Sequence, residues 1–172
     1  MQNFFKPKSS YLKGKSIMSR IKSLNVLLCP LLVLFSMSVI AQQASNSPKG
    51  AKVSIVEPKN GAIVVSPVKV VFALDKMMVM PAGVVHSDSG HHHLLVDVDA
   101  LPALDAPIPA DAQHLHFGKG QTETTLNLVP GTHTLQLLLG DHFHRPHNPV
   151  VASEVVKITI KDNANKSAAG TH

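Results

Sequence analysis

Residues 130–140 read PGTHTLQLLLG, and this stretch decides the fold class. Pro130 and Gly131 form a turn, and leucines then recur at every second position, at Leu135, Leu137 and Leu139. Successive side chains of a β-strand point to opposite faces of the sheet. The alternation therefore predicts a strand with one face in a hydrophobic core.

Further segments along the chain carry the same kind of pattern. They are residues 51–56, 68–74, 91–98, 122–128 and 151–160, and loops rich in Pro, Gly and Asp separate them. No window shows a helical period over three turns. Short β-branched and aliphatic strands at this spacing predict a small immunoglobulin-like antiparallel β-sandwich over residues 51–161. Its core must consist mainly of Val, Leu and Ile, because Phe72, Phe117 and Phe143 are the only aromatic residues after residue 41.

His133 has a predicted structural role within this sandwich. Such domains often carry a tyrosine at the turn into the penultimate strand, and its hydroxyl bonds back across the corner. His133 occupies the corresponding place and shares its phase with the alternating leucines. We therefore expect it to stabilise the corner and not to bind a ligand.

The N-terminal segment has the pattern of a secretory signal peptide. A basic stretch precedes the apolar run LNVLLCPLLVLFSMSVI at residues 24–40, and Val39, Ile40 and Ala41 are small or tolerated residues for cleavage after Ala41. We predict a signal peptide over 1–41, a linker over 42–50 and a flexible tail over 162–172, with Met1 or Met18 as the start. This places the protein in the periplasm or outside the cell, free of the membrane after cleavage. The alternative is an uncleaved anchor, for which the run is short.

The charge distribution argues against nucleic-acid binding. Six of the 16 basic residues lie within 1–41, which leaves 10 basic against 11 acidic side chains and a net charge of −1 with His neutral. A nucleic-acid footprint would need basic residues clustered on the folded domain. Cys29, the only cysteine, lies in the same N-terminal segment. The mature domain is thus predicted to lack disulfides, thiolate ligands and a cysteine nucleophile.

Histidine is the one residue type in unusual excess. Ten of the 11 histidines lie between His86 and His147, and six of them form three His-x-His pairs. In a strand, side chains two residues apart leave the same face and can converge on one ion. The alternation of apolar residues over 91–98 places His92 on the core face and His91 on the outer face, where no imidazole need be buried. The candidate metal ligands are His91, His93, His114, His116, His142 and His144.

Ligand chemistry narrows the choice of metal. Imidazole suits zinc, copper, nickel and iron, and copper(II) binds most tightly of the common divalent ions. We expect copper or, second, zinc, with binding that weakens below about pH 6 because a ligand nitrogen must be unprotonated. Met77, Met78 and Met80 could add thioethers or simply pack. The aspartates that could orient imidazoles are Asp97, Asp99, Asp105, Asp111 and Asp141.

Several longer motifs resemble a known family. They are GHHHLLVDVD at 90–99, LPALDAPIPADAQHLHFGKGQTE at 101–123, PGTHTLQLLLGDHFHRPH at 130–147 and VEPKNGAIVVSPVKVVFAL at 56–74. They are similar to the secreted bacterial family labelled domain of unknown function 4399, over roughly residues 51–161. The resemblance implies a compact exported β domain with the three His-x-His pairs. It implies no activity.

The sequence therefore favours an exported protein that binds a transition metal through its histidine pairs. One alternative is a structural or interaction module of the cell envelope, with histidines that rigidify loops by hydrogen bonding. Another is a metal-dependent redox enzyme, since an open metal site can do chemistry. The enzyme ranks last because the sequence shows no substrate pocket and no obvious general base other than histidine; no catalytic or organic-cofactor residues are assigned. A protein partner and the oligomeric state do not follow from the sequence.

Overall fold

The computed structural model describes residues 44–162, and these form an all-β sandwich. The predicted signal peptide and almost all of the predicted tail lie outside the described residues. No helix in the described range is long and apolar enough to cross a bilayer. The strands are β1 (Lys52–Glu57), β2 (Ile63–Val65), β3 (Val68–Asp75), β4 (Met78–Val79), β5 (Ser89–Val96), β6 (His114–His116), β7 (Glu123–Leu126), β8 (Gly131–Gly140) and β9 (Val156–Lys161).

The strands form two sheets. The first has the order β1-β3-β7, and the second has the order β2-β9-β8-β5-β4, with β6 paired to β5. All the longer strands pair antiparallel, as predicted, whereas the short strands β2 and β4 pair parallel to β9 and β5. The predicted β-sandwich of immunoglobulin-like type is thus confirmed, with parallel pairs added at two edges of the larger sheet.

The core between the sheets is aliphatic, as the composition predicts. Val53, Val70 and Phe72 come from the first sheet, and the alternating leucines of β8 face them from the second. Leu135, Leu137 and Leu139 are fully buried. Burying one such side chain contributes roughly 1.5–3 kcal/mol, so this alternation is what fixes the register of β8.

A second, smaller apolar cluster lies apart from the main core. Leu95 of β5, Leu138 of β8 and Ile108 form it, with Val98, Leu101 and Ala152 at its border. Leu95 and Leu138 have the opposite phase to the core residues of their strands, so they lie on the outer face of the larger sheet. Ile108 reaches them from residues 97–113, a Pro-rich segment that we call the covering loop.

The start of the described chain is attached to the domain. Ser47 donates its backbone N–H to the carbonyl of Asn148, and Asn148 donates to the carbonyl of Ser45. The Ser45 hydroxyl also donates to Asp141 (2.8 Å). Residues 45–47, which fall within the predicted linker, are therefore hydrogen-bonded to the segment that follows β8.

Candidate metal centre

Strand β5 sends its three consecutive histidines to two faces of the larger sheet. His92 points into the main core, as predicted, and its ring lies 5.2 Å from that of Phe72, centroid to centroid. Its Nδ1 donates to the carbonyl of Gln121 (3.2 Å). Burial lowers the pKa of His92, so the ring is neutral at physiological pH. Its Nε2 has no hydrogen-bond partner among the described residues, but the ring lies in the core against Phe72 and apart from the other histidines of β5, so we assign it to packing and not to a ligand site.

His91 and His93 lie on the outer face, but they are not exposed. Their exposed fractions are 1% and 0%, so the expectation that this face avoids buried imidazoles is wrong. The covering loop and the turn after β8 lie over them. Ile108 of the covering loop donates its N–H to the carbonyl of His144 (2.7 Å), which ties these two segments together. Contacts so remote in sequence leave no signal in the alternation of β5.

Strand pairing brings two further histidines to this pair. His93 faces His116 directly in the β5–β6 register, and His91 faces Gly140, the last residue of β8. The chain then turns back over residues 141–145, which places His144 beside His91 at a centroid distance of 4.9 Å. His116 lies 4.9 Å from His91, 5.0 Å from His93 and 4.8 Å from His144. We call His91, His93, His116 and His144 the histidine cluster.

The nitrogens within the cluster lie close enough to share an ion. Nε2 of His91 and Nε2 of His93 are 3.1 Å apart. Two nitrogens bonded to one tetrahedral ion at about 2.0–2.1 Å are about 3.3–3.4 Å apart, so little movement is needed. One nitrogen from each of His91, His93 and His116 lies within 4.8 Å of the others, which is the spacing of a potential metal site.

Burial and repulsion between imidazoles keep three of these rings neutral. Burial, followed by repulsion from His116 and His144, lowers the pKa of His91 to about 4. Burial and repulsion from His91 lower the pKa of His93 to about 3. Burial also lowers the pKa of His116. Each of these three rings therefore has one unprotonated nitrogen at neutral pH, which is the form that binds a metal.

Two buried nitrogens of the cluster have no hydrogen-bond partner among the described residues. They are Nδ1 of His91 and Nδ1 of His93. A buried polar atom without a partner costs roughly 1–3 kcal/mol. In the 3.1 Å contact one Nε2 donates a proton to the other Nε2. Whichever ring is the donor, both Nδ1 atoms remain unsatisfied. The cluster is therefore a costly arrangement for packing alone.

Asp141 organises the turn that carries His144. Its Oδ1 accepts from the N–H groups of Phe143 (2.8 Å) and Arg145 (3.0 Å), and its Oδ2 accepts from Ser45. Burial raises the pKa of Asp141, but these hydrogen bonds outweigh it and hold the pKa below its usual value. His144 has a φ of 64°, a left-handed conformation that the turn imposes. Asp141 thus places one negative charge near His91.

The remaining candidates lie outside the cluster. His114 donates from Nδ1 to Asp111 (2.9 Å), and the ring of His142 contacts Phe143 at 4.1 Å. His142 lines a shallow pocket with His86, His147, Ser89 and other residues. The structure thus brings together four of the six predicted histidines.

The predicted auxiliary residues have other surroundings. Met77 packs against the main core, and Met78 is exposed. Asp99 and Asp105 are exposed, while Asp97 and Asp111 bond histidines outside the cluster. His147 is a buried residue without a predicted role, and it donates from Nε2 to the carbonyl of Ser89 (3.0 Å). Only Asp141 of the predicted aspartates lies next to the cluster.

His133 forms the predicted corner. Its Nε2 donates to the carbonyl of Val129 (2.9 Å), four residues upstream, and its Nδ1 donates to Asp97 (2.7 Å). Burial lowers the pKa of His133, but the bonds to Asp97 and Val129 outweigh it, and the pKa is raised overall. Both nitrogens donate, so the charged form fits this site.

Replacing His133 by Ala is expected to destabilise the domain without affecting the cluster. Each lost hydrogen bond contributes roughly 0.5–1.5 kcal/mol. Because the folded-state pKa is raised, the charge-dependent part is complete below about pH 6.5 and disappears as the pH rises through the folded-state value. Thermal unfolding at several pH values measures this, with His114→Ala as a control that removes a more exposed His–Asp pair. Loss of bound metal with an unchanged melting temperature would reverse the assignment.

Comparisons with known proteins identify the family. No curated protein matches the sequence. A solved structure described as "Structures of Clostridium thermocellum CbhA fibronectin(III)-like modules" is 18% identical, covers 63% of this chain and 95% of its own, and has a TM-score of 0.32. The identity and the TM-score are low, so the description of the fold given above rests on strand pairing alone. Residues 70–161 match the family described as Domain of unknown function (DUF4399). That match covers more than half of the sequence and agrees with the predicted resemblance, so the chain belongs to the DUF4399 family.

Proposed function

We propose that this protein binds one transition-metal ion, copper in the first place and zinc in the second, through the histidine cluster. The observation that carries the proposal is the approach of three neutral imidazoles, with two buried Nε2 atoms 3.1 Å apart. His144 is the fourth candidate ligand, because its ring contacts those of all three others. His114 and His142 are left out because their ring contacts lie elsewhere.

The choice of metal follows from the donor set. The four rings offer nitrogen only, and residues 44–162 contain no cysteine. Such a site suits copper and zinc and disfavours the hard ions magnesium and calcium. The buried carboxylate of Asp141 offsets part of the charge that an ion would bring into this place.

The alternative of purely structural histidines has support elsewhere in the domain. His133 and His147 are buried, and each bonds a backbone carbonyl, as a rigidifying role requires. His91 and His93 differ, because their Nδ1 atoms lack partners in the described part of the chain. A structural role therefore explains those two residues better than it explains the cluster.

Export to the periplasm, based on the pattern in residues 1–41, is part of our proposal.

Native mass spectrometry of protein produced without an affinity tag tests the proposal. Metal-free protein mixed with copper or zinc at neutral pH should take up one ion per chain. His93→Leu should abolish this, because it removes a central nitrogen and leaves an apolar side chain beside Leu95. His114→Leu is the matched control and should keep the ion. Uptake that is absent in the parent, or equal in the two variants, would favour the envelope module instead.

A further inference from the structure

The histidine cluster is buried on one side only. His91 and His93 are 1% and 0% exposed, whereas His116 is exposed and His144 is half-buried. An ion held by all four would therefore have two ligands fixed in the protein and two near the solvent. This asymmetry bears on how such an ion would be exchanged.

The inner side is closed by backbone and by the smaller apolar cluster. A Cβ built on Gly140 would lie 2.8 Å from Nε2 of His93 and 3.2 Å from Cδ1 of Ile108. The ring of His93 thus lies directly against the β8 backbone, and Ile108 fills the adjoining space. Leu95 and Leu138, both fully buried, extend this closed floor. Backbone and apolar side chains therefore line this side of the cluster.

The outer side is formed by a short strand and a glycine. His116 is the last residue of the three-residue strand β6, which the structure pairs with β5. A Cβ on Gly118 would overlap the His116 ring, so this ring occupies space that the glycine leaves open. Residues 117–120 then form a turn. A rotation of the His116 side chain alone would uncover the cluster, without breaking a strand pair.

We propose that His116 is the exchange ligand of this site, so that the ion is a transferable cargo and not a permanently enclosed one. This inference rests on the proposed function. An incoming molecule with a free nitrogen or sulfur lone pair bonds the ion as the bond to His116 breaks. His91, His93 and His144 would retain the ion until further donors arrive. The oxidation state of the metal is unchanged, and no proton is consumed while the rings are neutral.

Transfer of zinc to a chromophoric pyridylazo chelator tests this inference. In stopped-flow measurements on the zinc-loaded protein, the transfer rate should rise in proportion to the chelator concentration, as attack on the bound ion requires. His116→Ala should still hold one ion by native mass spectrometry. It should release the ion at least tenfold faster, because a position for the chelator is already open. His114→Ala, two residues earlier on the same strand, should behave like the parent.

The results separate the inference from the proposed function. If the parent takes up no ion, the proposed function fails and the exchange route fails with it. If the parent binds an ion but His116→Ala transfers it at the parental rate, only the exchange role is overturned. Complete loss of the ion in His116→Ala would make His116 an anchor like His93, and this also overturns the exchange role. Thermal unfolding of the metal-free proteins checks folding, and His116→Gln serves as a second variant.

Discussion

Acidification of the metal-free protein from about pH 6.5 to about pH 4 is expected to lower its free energy of unfolding steeply. The pKa values of His91 and His93 are lowered from 6.5 to about 4 and about 3. In this window the unfolded chain binds protons that the folded protein excludes. Stability is therefore complete above about pH 6.5 and is lost as the pH falls, by about 1.4 kcal/mol per pH unit for each such histidine. The raised pKa of His133 acts only at higher pH, because its contribution is already complete below about pH 6.5, so it does not offset this loss.

Urea unfolding at intervals of half a pH unit, with a chelator present, measures this dependence. His93→Leu should reduce the slope by roughly the contribution of one proton. At pH 7 it removes a ring whose Nδ1 lacks a partner in residues 44–162, but it also takes away the partner of the buried Nε2 of His91, so a cost of roughly 1–3 kcal/mol is expected. His114→Leu, a substitution outside the cluster, is the comparison variant. Equal slopes in the parent and His93→Leu would show that the buried ring does not govern acid sensitivity.

Gly90→Ala is expected to destabilise the domain by about 1–3 kcal/mol or more through overpacking. A Cβ at this position of β5 would lie 2.6 Å from the carbonyl oxygen of Gly140 and 2.9 Å from Cε1 of His147. The first of these atoms is backbone in the paired strand β8, so relief requires the two strands to separate. Urea unfolding of the metal-free variant at neutral pH measures the effect.

Gly118→Ala provides the contrast to Gly90→Ala. Its Cβ would meet the exposed ring of His116, which can turn aside. The fold should therefore be almost as stable as the parent, while metal uptake weakens. A stable Gly90→Ala protein, or a Gly118→Ala protein that fails to fold, would contradict this account of where each glycine is needed.

The sandwich could be predicted because its long strands alternate. Leu135, Leu137 and Leu139 recur at every second position of the sequence. Because a strand has a fixed period of two, the same three residues line the buried face of β8. Strands β2, β4 and β6 have only two or three residues each, which is too short to show a period. Their positions depend on pairing partners distant in sequence. The strand predicted over 151–160 is shorter in the structure and begins at Val156. Before it, Ala152 forms only an isolated bridge to Leu138.

The site could be predicted in part, for similar reasons. The phase of β5 correctly separates His92 from His91 and His93, because this follows from local alternation. The histidine cluster includes His144 and not His142 because of the left-handed turn that Asp141 organises. No repeating pattern in the sequence encodes this turn. Burial of the pair depends on Ile108, which the covering loop brings from a distant part of the chain. Metal ligation by any of these histidines stays a prediction.

The covering loop also has a consequence for conformational entropy. Pro102, Pro107 and Pro109 lie within it, and each proline restricts the backbone before the chain folds. Such residues stabilise a fold by reducing the freedom that the unfolded chain must give up. The loop can thus be held over His91 and His93 by Ile108 and a few hydrogen bonds. Much of the rigidity around His91 and His93 is then inherited from the covalent chain of the covering loop.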